Sequence, residues 1–82
     1  MNIKIFILKV SLQNEDGSYD YVKMVGAFFK FEDAMAEAII KREFMKLEWP
    51  NYKIGKHNEA SIWIQSETGL RKWYEIEETV VR

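Results

Sequence analysis

The sequence predicts an α+β domain of order ββαββ, a four-stranded antiparallel sheet with one helix on one face. Three observations predict it. Residues 3–12, 19–28, 60–65 and 70–80 read as strands, with apolar side chains alternating along them. Asn14-Glu15-Asp16-Gly17 and Ser66-Glu67-Thr68-Gly69 are turn signals that split those strands into two hairpins. Between the hairpins, residues 31–47 repeat apolar side chains at the three- and four-residue spacing of a helix.

The first strand is apolar on both sides over its first half. Phe6, Leu8, Val10 and Leu12 share one face, and Ile3, Ile5 and Ile7 share the other. Such a strand belongs inside a sheet rather than at its edge. A loop of Glu15 to Gly17 pairs Val10 with Val22, Leu8 with Met24 and Ile7 with Val25, at the small cost of setting Lys9 opposite Lys23. The helix start lacks a good cap at Lys30, and Glu32 and Asp33 supply negative charge to its first turn. Trp49-Pro50 ends it, because a residue before proline is pushed out of the helical region. Residues 50–59 read as a polar connection holding Gly55 and His57. In the second hairpin, a bulge at Gly69 pairs Trp63 with Trp73 and Ile62 with Tyr74 on the last two strands.

The helix has one apolar stripe more than a single sheet can cover. Phe31, Ala34, Met35, Ala38, Ile39 and Met45 form the first stripe, with Arg42 lying inside it. Arg42 must either snorkel to the edge or mark a change in the buried side. Ala36, Ile40, Phe44 and Leu47 form a second stripe about half a turn away at about 100° per residue. Either residues 50–59, with Tyr52 and Ile54, fold back over that stripe, or a partner covers it, and a patch of this kind marks a contact. The outer face of the sheet is also partly apolar, carrying Ile5, Ile7, Val25 and Tyr21, or else Trp63 and Trp73.

The 82 residues form one domain, and 48% hydrophobic with 30% charged is the composition of a folded globule. With no cysteine, the fold stands on packing, and a reducing cytoplasm is the expected setting. The run Ile5 to Leu8 is too short to span a membrane, and Met-Asn-Ile-Lys does not have a signal-peptide layout. A formal net charge of −1 gives no global bias toward phosphate.

No enzyme chemistry is legible. There is no nucleophile motif and no phosphate loop, since the four glycines at 17, 26, 55 and 69 are isolated. His57 with Glu59 offers two metal ligands where a site needs more, so no metal or cofactor is expected. Glu32 and Asp33 answer the helix dipole, and Glu75, Glu77 and Glu78 form a wetted strand face. Two binding classes remain. The first is a protein partner or a second copy held by Ile40, Phe44 and Leu47, with Trp63 and Trp73. The second is single-stranded nucleic acid or a nucleotide stacked on the tryptophan hairpin, with Arg71, Lys72, Trp73 and Tyr74 interleaving base and aromatic. Glu75 and Glu77 oppose phosphate there, so protein binding is the leading expectation.

The stretch Val25-Gly26-Ala27-Phe28-Phe29-Lys30-Phe31-Glu32-Asp33-Ala34, followed by Ala36, Glu37 and Ala38, carries a G-x-F strand exit and an E-D-A helix start. It resembles a strand-to-helix junction in small phage and bacterial proteins of unknown function, with Lys30 standing where those proteins carry Ser or Thr. The resemblance implies a phage or mobile-element accessory protein that binds and inhibits a host or defence protein. It assigns no functional residue.

Overall fold

The computed structural model describes residues 2–81. The elements run β1 (Ile3–Gln13), β2 (Tyr19–Phe28), α1 (Phe31–Glu48), β3 (Lys53–Asn58), β4 (Ser61–Gln65) and β5 (Arg71–Val81). All neighbours pair antiparallel in one five-stranded sheet of order β2-β1-β5-β4-β3, with α1 on one face. The α+β class holds, but the order is ββαβββ rather than ββαββ. β1 lies inside the sheet between β2 and β5.

The additional strand, β3, is the segment expected to be a connection. Lys53-Ile54-Gly55-Lys56-His57-Asn58 has one large apolar side chain and no apolar alternation. It forms because β4 offers an open edge: Ile54 pairs with Ile64, and Gly55 pairs with Trp63. Gly55 is required at that contact, since a Cβ there would collide with the six-membered ring of Trp63. His57 is the extra residue of a bulge between Lys56 and Asn58. The Asn58 side chain accepts the Ala60 N–H at 2.8 Å and closes the turn into β4.

The first hairpin closes as expected but pairs differently. Asn14 N–H donates to Ser18 O at 2.7 Å, and Gly17 takes φ +91° in the loop between them. The Asp16 carboxylate accepts from both the amide and the hydroxyl of Ser18, which holds its pKa below the ordinary value. The register then slips past Asp20 and again past Val25. Val10 therefore faces Lys23, Lys9 faces Met24, Leu8 faces Gly26 and Ile7 faces Ala27, instead of Val22, Lys23, Met24 and Val25. The slip removes the expected Lys9–Lys23 apposition, and Lys9 pairs instead with Glu77 on β5. It also turns Tyr21 and Val25 to the helix side, so they leave the outer face expected for them.

The second hairpin matches its expectation. Trp63 pairs with Trp73 and Ile62 with Tyr74, around a turn with Gly69 at φ +101°. The core lies between α1 and the sheet. Leu8, Val10, Ile62, Ile64, Tyr74 and Ile76 meet Ala34, Ala38 and Met45 of the helix. The two alanines are fully buried, and their small side chains let the helix axis approach the sheet closely. Burial pushes the Tyr74 phenol well above its ordinary pKa.

The helix turns a different line toward the sheet than its apolar count suggests. Phe31, Ala34, Met35, Ala38 and Met45 face inward, but Ile39 is exposed. Arg42 occupies the inward line one turn after Ala38. Its guanidinium reaches the sheet edge, and Nη1 donates to the carbonyl oxygen of Gly55 at 3.3 Å, while the buried Nε has no partner. Arg42 thus stays part-buried on the inward line and ties the helix to β3. Lys30 makes no side-chain cap, and Trp49 N–H closes the helix on Met45 O at 2.9 Å.

Candidate interaction surface

The second helix stripe stays uncovered. Residues 53–58 are committed to the sheet edge as β3, so they do not fold back over α1. Ile40 is 49% exposed, Phe44 65% and Leu47 82%. With Ile39 and Glu43 these side chains line a shallow, almost wholly apolar depression on the outer side of the helix. Tyr52 lies to one flank, beneath the Lys46 ammonium at 5.4 Å from its ring centre.

Ion pairs border the stripe on both sides. Lys41 and Glu37 approach at 3.6 Å on one flank, and Lys46 and Glu43 at 2.7 Å on the other. An apolar centre with a charged, wetted rim is the anatomy of a protein contact. Phe44 also forms part of a second hollow of about 320 Å³ between α1 and β2, with Val25, Tyr21, Lys23, Lys41 and Met45 among its walls. The two depressions thus share one aromatic ring. Sequence reasoning missed this groove because it set Tyr21 and Val25 on the other face of the sheet.

The tryptophan hairpin is arranged differently. Trp63 and Trp73 share the outer face of the sheet, both half-buried. The Arg71 guanidinium lies over both rings, 4.1 Å from the centre of Trp63 and 5.3 Å from that of Trp73. It is held there by Gln65 Oε1, which accepts from Nε at 3.0 Å and from Nη2 at 2.6 Å. Trp73 Nε1–H donates to Gln13 Oε1 at 3.0 Å, and His57 stands edge-on to the same ring at 6.2 Å. His57 is exposed, as a loop histidine would be, but it stands in β3.

Strand alternation divides the basic and aromatic string. Arg71 and Trp73 face outward, whereas Tyr74 is buried under the helix and Lys72 Nζ sits 3.6 Å from Met45 Sδ. The four residues from Arg71 to Tyr74 therefore do not form one surface. Outside these clusters the β2 strand exposes Val22 and Met24, paired with Ser11 and Lys9 on β1. Among the described residues no group of three or more His, Cys, Asp or Glu side chains is placed to hold a metal ion. Among the described residues no helix is long and apolar enough to cross a membrane.

Comparison with protein-family models, with curated proteins and with solved structures returns no match.

Proposed function

We propose that this chain is a protein-binding module that acts through the outer face of α1. One observation carries the reading: Ile40, Phe44 and Leu47 are 49%, 65% and 82% exposed in a single continuous stripe, and the segment able to cover them is fixed elsewhere as β3. Fully burying side chains of this kind stabilises by about 1.5–3 kcal/mol each. Three of them are comparable with the lower part of the roughly 4–15 kcal/mol lost on association. The adjoining groove at Phe44, Val25 and Tyr21 supplies further apolar area to the same partner.

In the setting implied by the strand-to-helix junction, the module is a phage or mobile-element accessory protein. Its binding would block a host or defence protein in the cytoplasm, with no chemistry of its own. The rival reading, a platform for single-stranded nucleic acid, retains Trp63, Trp73 and Arg71 on one face. There the guanidinium already occupies the ring faces that bases would need.

The test is retention from a cell lysate at low and high salt, by the immobilised chain and by its Phe44→Asp variant. Apolar contacts change little with salt, whereas phosphate contacts weaken steeply. The reading expects a protein retained through high salt and absent from the variant. Recovery of nucleic acid at low salt alone, equal in both, would transfer the function to the tryptophan hairpin.

A further inference from the structure

Resting on that reading, we propose that in the chain by itself the helix face is occupied by a second copy, its α1 packed antiparallel to the first, which any other protein partner must displace. The sheet edges do not offer the alternative route to a dimer. On β2 the pairing slips past Asp20 and Val25, which leaves only a short regular stretch between them. On β3 the outer edge carries Lys53 and Lys56 and a bulge at His57. Bulges and lysines of this kind block edge-to-edge pairing.

The helix face is complementary to itself in one orientation. Ile40, Phe44 and Leu47 follow the alternating four- and three-residue spacing of a coiled-coil seam. Lys41 and Glu48 flank that seam on the same side, two turns apart and opposite in sign. When two helices run antiparallel with each Phe44 beside the other copy's Leu47, each Lys41 lies beside the other copy's Glu48. The twofold axis makes that pair twice. A parallel arrangement instead sets Glu48 beside Glu43 of the other copy, like against like. Lys41 has only a long 3.6 Å contact to Glu37, and Glu48 forms no ion pair among the described residues, so both are available to the second copy. A net charge of −1 leaves little general repulsion between the two chains.

Sedimentation equilibrium of the purified full chain tests this on four proteins: wild type, Lys41→Glu, Glu48→Lys and the doubly exchanged K41E/E48K. The expected wild-type species is a dimer. Each single exchange turns two attractive pairs into two repulsive ones and should raise the dissociation constant on the order of tenfold or more. The double exchange restores opposite signs and should recover most of that loss. Thermal unfolding at concentrations where all four are monomeric should be nearly the same, because exposed charges contribute little to the fold. A wild-type monomer at every concentration overturns the proposal, as does a dimer indifferent to both single exchanges. If that monomer still retains another protein through Phe44, the helix face remains a binding site and only the second copy is excluded.

Discussion

Phe44→Asp is expected to abolish association while leaving the chain folded. Phe44 is 65% exposed and sits where the outer stripe meets the groove beside β2. A centrally placed aromatic ring at an interface contributes about 2–4 kcal/mol, which corresponds to a weakening of roughly 30- to 1,000-fold. A carboxylate in its place adds the cost of burying an unpaired charge. The free chain loses little, since surface substitutions away from the core fall within about 0.5 kcal/mol. Solution mass and thermal unfolding measured on the same preparation check both halves. A large drop in melting temperature relative to wild type diluted to monomer would mean that the ring belongs to the core.

Trp73→Ala is expected to do the opposite, lowering stability strongly and leaving binding at the helix face intact in whatever fraction stays folded. The ring packs under Arg71, donates to Gln13 and meets His57 at its edge. Truncating a packed tryptophan costs about 3–5 kcal/mol, and partial exposure places this one near 3 kcal/mol. For a chain of this size that lowers the melting temperature by about 12–24 °C. If the hairpin were a ligand platform, the melting temperature would hold while nucleic-acid binding vanished. One variant measured both ways separates scaffold from site.

Much of this architecture was legible because its signals are local. Alternation along β1 and the turn glycines at 17 and 69 place four strands, and the Trp63–Trp73 pairing follows from counting residues around Gly69. β3 was not legible because an edge strand held by one neighbour needs no apolar alternation, and Ile54 alone supplies none. The β1–β2 register failed at Asp20 and Val25, where a strand paired on one side can bulge at little cost. The helix stripe at Ile40, Phe44 and Leu47 was visible from spacing. Ile39 was assigned inward because it is apolar, yet close packing on the sheet took the small Ala34 and Ala38, and Arg42 followed them along the same line. Arg71 to Tyr74 misled because a string of neighbours in a strand never shares one face.

The claim that binding runs through the outer face of α1 is tested most directly by methyl resonances of the chain, free and in its complex. The methyl groups of Ile39, Ile40 and Leu47 are expected to shift on complex formation, while those of Ile5, Ile7 and Met24 on the outer sheet face stay in place. Movement of the sheet-face methyl groups with the helix set unchanged would contradict it.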